Sequence, residues 1–201
     1  MSKKRVAVLI SGRGSNMAAL IEAAKARDYP AEIALVVSNR PDASGLARAQ
    51  EAGVTTEIVD HRTFGEDRAA FERALDARLQ AHRIDLVCLA GFMRLLTPWF
   101  VTRWSGRMLN IHPALLPQFK GLHTHRRALE AGLKRHGATV HFVVPEMDSG
   151  PIVMQDSVPI VEGDTEETLA ARVLEIEHRI YPQALRLVAE GRVTLDADSR
   201  R

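Results

Sequence analysis

The sequence predicts an α/β fold: a doubly wound, Rossmann-like sheet, mostly parallel in its first half, with mixed strands in its second half and helices on both faces. Three observations predict it. Short β-branched runs, apolar on both faces, alternate with helix-period stretches up to residue 90; the rhythm changes after Gly91; and one long amphipathic segment closes the chain.

Residues 5–10 (RVAVLI), 31–38 (AEIALVVS), 54–59 (VTTEIV) and 84–90 (IDLVCLA) read as strands covered on both sides. Residues 16–27, 44–52 and 66–82 read as the helices between them, and the last places Phe71, Leu75 and Leu79 in one apolar stripe. This β-α alternation calls for parallel pairing with right-handed crossovers. Beyond Gly91, residues 107–112, 137–144 and 151–158 read as strands, with only a short helix, Thr124 to Gly132, between the first two. A mixed sheet follows. Residues 165–190 carry Leu169, Val173, Ile176 and Ile180 on one helical face, and Pro182 is expected to kink that helix. Residues 197–201 are polar and are expected to fray.

At 201 residues the length predicts a single domain. With 46% hydrophobic and 26% charged residues, the composition excludes disordered and fibrous classes. A net charge of +2 gives no argument for a nucleic-acid or membrane partner. The lone cysteine, Cys88, excludes an internal disulfide and reads as a small buried hydrophobe. The apolar run Val6 to Ile10 is too short for a secretion signal or a membrane span, so a cytoplasmic protein is expected.

Ser11-Gly12-Arg13-Gly14-Ser15-Asn16 follows a strand and opens a helix, where free backbone N–H groups and the helix dipole can face a phosphate. The alternative is a glycine-rich turn with Ser15 or Asn16 as helix cap. Met17 stands where a dinucleotide fingerprint needs its third glycine, and no acid ends the second strand, so a small phosphorylated ligand fits better than NAD or ATP. Asn110 and His112 end an apolar strand two residues apart, hence on one face and ~6–7 Å apart, able to address one reacting centre. A capping Asn and a surface His is the plainer alternative. The segment from Ala114 to His125 is a Pro- and Gly-punctuated loop beyond a strand's carboxyl end, where open α/β sheets place ligands. Glu146 to Pro151 contains ordinary turn residues, yet Asp148 could partner His112. His123, His125, His136, His141 and His178 lack a metal-binding spacing, so no metal is expected. No Gly-x-Ser-x-Gly motif is present to supply a serine nucleophile.

Five motifs in order resemble the glycinamide ribonucleotide formyltransferases of purine biosynthesis. They are Val8 to Asn16, Leu89 to Leu96, Leu109 to Pro117, Gly121 to His125, and His141 to Val143 leading to Asp148-Ser149-Gly150-Pro151-Ile152; Glu177 to Pro182 is similar to the family's late helix. The resemblance implies transfer of a formyl group from 10-formyltetrahydrofolate to the amine of 5-phosphoribosylglycinamide. It implies an N-terminal half, about 1–105, that binds the nucleotide phosphate, and a catalytic and folate-binding half, about 106–195. Gly14, Ser15 and Asn16 would hold the phosphate, and Glu177 the glycinamide. Arg68, Met93, Arg94, Leu95, Leu96, Asn110 and His141 would contact the folate. Asn110 would donate to the oxyanion, His112 would stabilise it and help move a proton, and Asp148 would orient His112 and favour its protonated form.

The partners implied are small molecules, with no metal, nucleic acid or membrane, and the protein is expected as a monomer or weak homodimer. A formyltetrahydrofolate hydrolase is the near alternative; such proteins add an N-terminal regulatory domain, whereas here the motifs begin within about five residues of Met1. Methionyl-tRNA formyltransferases add a C-terminal domain, for which the ~10 residues after Gly191 leave no room. A non-enzymatic nucleotide-binding module would explain the glycine-rich turn but not the paired Asn110 and His112.

Overall fold

The computed structural model describes residues 3–195, and within them the expected alternation takes concrete form. In chain order the elements are β1 (Lys4–Ile10), α1 (Ser15–Ala24), β2 (Ala31–Ser38), α2 (Gly45–Glu51), β3 (Thr56–Ile58), a 3-10 turn (His61–Phe64), α3 (Arg68–Ala81), β4 (Leu86–Leu89), α4 (Pro98–Arg103), β5 (Met108–His112), α5 (Thr124–Glu130), β6 (Arg135–Phe142), β7 (Ile152–Pro159) and α6 (Glu166–Ala189). They build one seven-stranded sheet in the order β3-β2-β1-β4-β5-β6-β7. Pairing is parallel from β3 through β5 and antiparallel from β5 to β7. β5 therefore joins the two halves of the chain, and the strand order reverses at β1/β4, where such sheets open a crevice.

Both faces are covered. On one, Met17 and Leu20 of α1, Leu46 of α2 and Leu169, Val173, Ile176 and Ile180 of α6 pack on Val8, Ile10, Leu109 and Ile111. On the other, Phe71, Leu75 and Leu79 of α3 and Phe100 and Trp104 of α4 pack on Leu9, Val37, Val87 and Met108. The alternation along β5 sends Leu109 and Ile111 to the α6 face and leaves Asn110 and His112 to the other.

α6 starts at a reciprocal cap, Thr165 accepting from the Thr168 backbone at 3.3 Å and Thr168 Oγ1 accepting from the Thr165 backbone at 2.9 Å. The helix continues through Pro182, whose carbonyl accepts from Tyr29 at 2.7 Å. Tyr181 beside it donates toward the carbonyls of Leu89 and Leu109, tying α6 to β4 and β5.

Some boundaries differ from expectation. β3 is only Thr56–Ile58, and α1 ends at Ala24. α4, six residues opened by Pro98, and the 3-10 turn were not predicted; both are too short to display a hydrophobic period. Cys88 is fully buried in β4, and burial pushes its thiol up to about 12, as a packing residue requires. Residues 197–201 lie outside the described residues. No helix among the described residues is long and apolar enough to cross a membrane.

Candidate active site

The carboxyl ends of β1, β4 and β5 point the same way, because these strands are parallel. Segments 11–14, 90–97 and 113–123 leave from that edge.

β5 and β6 place the reactive side chains. Antiparallel register sets Asn110 opposite His141 and His112 opposite Thr139 on the same sheet face. The turn between β6 and β7 folds back over that face and brings Asp148 to His112, with Nδ1 and Oδ2 3.5 Å apart, and within 3.8 Å of His141 Nε2. The other ring nitrogen of His112, Nε2, donates to the Phe119 carbonyl at 2.9 Å. Asp148 also accepts from the Gly121 backbone N–H at 2.9 Å, and Lys120 reaches Ser149. Loop 113–123 is thus fastened to the Asp148 turn, and His112 is held between two acceptors. The turn closes only because residue 150 is glycine: a Cβ there would stand 1.8 Å from the Phe142 carbonyl oxygen.

His141 is buried, which lowers its basicity. Its Nδ1 donates to the Phe142 carbonyl at 2.9 Å, so Nε2 is left to accept from the Asn110 amide at 3.2 Å. That contact uses one of the two amide N–H bonds of Asn110. The second is available to an oxygen arriving on the same face.

The glycine-rich turn forms the second part of the site. Gly14, not Ser15 or Asn16, occupies the N-cap of α1, with φ +67° and no side-chain cap. The capping alternative therefore fails, because Asn16 is committed elsewhere: its Nδ2 donates to Glu177 Oε2 at 2.6 Å. The first-turn N–H groups of α1 have no intrahelical partner and remain free for an anion. Gly45 seats α2 against this loop, donating to the Gly12 carbonyl at 3.0 Å; a Cβ would meet Ile10 at 2.7 Å and that carbonyl oxygen at 2.9 Å. Glu177 is buried at the edge of the α6 stripe, and burial raises its carboxyl above the usual range against the opposing pull of Asn16.

The third part is residues 93–96. Met93 and Leu95 are 69% and 67% exposed, a pair of large apolar side chains at the rim of the sheet, with Leu122 and Met147 also exposed. Exposed apolar groups beside polar ones suit a flat aromatic ligand. Arg94 lies 6.0 Å from the Phe71 ring, and Arg68 donates to the Leu95 carbonyl. Among the described residues, no group of three or more His, Cys, Asp or Glu is placed to hold a metal ion.

A model of the Formyl transferase family matches residues 4–185. The chain belongs to this family. It is 46% identical over 190 residues to the phosphoribosylglycinamide formyltransferase of Escherichia coli strain K12, covering 94% of this chain and 89% of that protein. The crystal structure of phosphoribosylglycinamide formyltransferase from Brucella melitensis superposes with a TM-score of 0.90 at 52% identity, covering 94% of this chain and 96% of that one. The trifunctional purine biosynthetic protein adenosine-3 of Bos taurus is 49% identical over 198 residues, 98% of this chain, which spans about a fifth (20%) of that longer relative. The α/β fold described above is the one these formyltransferase structures share.

The structure thus brings Asn110, His112, His141 and Asp148 into direct contact, pairs Asn16 with Glu177, and sets Arg68 against the Met93–Leu96 segment. Sequence reasoning missed the carbonyl of Phe119 as the second partner of His112. Its signal was faint: Phe119 is a non-glycine residue at φ +53°, a backbone conformation that no sequence pattern announces.

Proposed function

We propose that this protein transfers the formyl group of 10-formyltetrahydrofolate to the amine of 5-phosphoribosylglycinamide in purine biosynthesis, giving the N-formyl product and tetrahydrofolate. The observation that carries this reading is the cluster on β5: an amide with a spare N–H, two residues from an imidazole that faces a carboxylate. Attack of the glycyl amine on the formyl carbon forms a C–N bond and places negative charge on the formyl oxygen. Asn110 donates to that oxygen, and His112, whose two ring nitrogens face Asp148 and the Phe119 carbonyl, acts on the charge electrostatically rather than as a second donor. Breakdown breaks the bond to the folate N10, which takes up a proton as the attacking nitrogen loses one. His112 assists this exchange, held in orientation by Asp148 and Phe119.

Gly14, Ser15 and Asn16 bind the ribonucleotide phosphate at the N-terminus of α1, and Glu177 receives the glycinamide end. Met93, Arg94, Leu95 and Leu96, with Arg68 beside them, form the folate wall, and Asn110 and His141 contact the folate from β5 and β6. Both substrates are small molecules, and every group the reaction needs is an organic side chain or backbone amide.

The test follows deformylation of 10-formyltetrahydrofolate with and without phosphoribosylglycinamide. Consumption that requires the amine is expected. Equal consumption in both tubes would overturn the transferase reading in favour of a hydrolase, and binding without turnover would favour a nucleotide-binding module.

A further inference from the structure

The Met93–Thr97 backbone is held from three sides, and two of the holds come from residues that have no part in the chemistry described so far. Ser11, 8% exposed at the end of β1, donates to Asn39 Oδ1 at 2.6 Å and accepts from the Met93 N–H at 2.7 Å. The direction is forced, because Asn39 Oδ1 can only accept; the hydroxyl proton goes there and leaves a lone pair for Met93. Asn39 is itself packed against His61, whose Nδ1 lies 2.9 Å from the Asn39 carbonyl and 3.1 Å from its Nδ2. At the other end Glu72, 1% exposed on α3, accepts from the Thr97 N–H at 2.6 Å and from the Thr97 hydroxyl. Among the described residues this buried carboxylate has no ion-pair partner within 4.0 Å. Arg68, one turn earlier on α3, holds the Leu95 carbonyl midway.

We propose that Ser11 and Glu72 are positioning residues for the co-substrate: they fix the Met93–Thr97 backbone so that its exposed side chains and peptide groups present one preformed wall to the folate. This rests on the reading of that segment as the folate wall. Burying a carboxylate whose partner among the described residues is Thr97 alone is costly, and Met93 and Leu95 between the anchors add nothing in return, since both point out of the core. A wall formed in advance spares the ligand the ordering cost of binding.

The experiment compares Ser11→Ala and Glu72→Met, which keeps the side chain's length but removes its acceptors, with the wild-type protein by amide hydrogen exchange, by calorimetry with tetrahydrofolate, and by steady-state kinetics. Each variant should exchange faster over residues 92–97 with little change over 12–20. Its Kd for tetrahydrofolate and its KM for 10-formyltetrahydrofolate should rise about tenfold, the worth of one lost hydrogen bond. KM for the ribonucleotide should stay within about twofold, a split that general loosening of the fold would not produce. Variants that bind tetrahydrofolate as tightly as wild type, or that raise both KM values alike, would refute the positioning role alone. A wild-type protein that binds no tetrahydrofolate would refute the folate reading and this proposal with it. Should S11A fail to fold, E72M decides by the same readouts.

Discussion

Asn110→Ala removes one side chain with two separate duties, and the geometry assigns each its own measurable effect. One amide N–H is spent on His141 Nε2 at 3.2 Å; the other is the donor available to a developing oxyanion. Deleting an oxyanion donor costs about 2.7–4 kcal/mol of transition-state stabilisation, so kcat should fall by ~10²–10³. The interaction forms only as charge develops, so KM for both substrates should move by less than about threefold. The other duty is structural. His141 is 2% exposed, and removing the Asn110 donor to its Nε2, the one donor there among the described residues, should cost ~1–3 kcal/mol. At this chain length that lowers Tm by roughly 2–12 °C, leaving the protein folded at 25 °C. The assay is deformylation of 10-formyltetrahydrofolate under saturating ribonucleotide, alongside a thermal melt. A folded variant that keeps kcat within about threefold of wild type, or that loses rate wholly through KM, would refute the oxyanion assignment.

Glu177→Gln keeps an oxygen for Asn16 and removes the charge that burial disfavours. Because the folded-state pKa is raised, the favourable contribution of Glu177 is complete below its ordinary value of 4.5 and is lost as pH rises through the folded value. The variant should therefore melt above wild type at pH 7 and converge with it on acidification, while its KM for the ribonucleotide rises. His136, 5.2 Å from the His125 ring behind the His112 loop, is pushed down to about 4 by burial. Its depressed value means stability present above pH 6.5 is lost as pH falls toward 4, and denaturant titrations of His136→Gln should show a flatter dependence across that window. Gly150→Ala sets a Cβ 1.8 Å from a backbone oxygen that no rotamer change can move. A loss of at least ~1–3 kcal/mol in stability is expected, together with a fall in kcat as the Asp148 turn shifts; an unchanged melt and rate would show that the turn has more room than the structure gives it.

What the sequence made legible follows from periodicity. Strands buried on both faces and the stripe of Leu169, Val173, Ile176 and Ile180 are written in composition at fixed spacing, and the structure puts all four residues of that stripe in the core. Asn110 and His112 share a face because strand side chains alternate, a property local to the chain. What was not legible depends on contacts across the fold. The Asn16 to Glu177 bond spans 161 positions, and Ser11 to Met93 spans 82. Nothing in either local sequence states the partner. Ser15 and Asn16 looked like caps for the same reason: cap chemistry is local, and the demand Glu177 makes on Asn16 is not.

The division of β5 between two faces explains why one strand can serve chemistry and packing together. Leu109 and Ile111 are locked into the α6 core, while Asn110 and His112, one position away from each, face the Asp148 turn. Their backbone is thereby held by the packing and pairing of β5, and the segments that approach it are 90–97, 113–123 and 143–150. Each is fastened near its tip by a side chain from another element: Ser11 and Glu72 on the first, Arg127 on the second through the Lys120 carbonyl, and Lys120 on the third through Ser149. Substitutions on β5 should consequently act on kcat with the loops in place, whereas substitutions at these fastenings should act first on substrate affinity. A fastening variant that lost kcat alone, with KM and loop exchange unchanged, would show that the segments share in the chemistry and that the division does not hold.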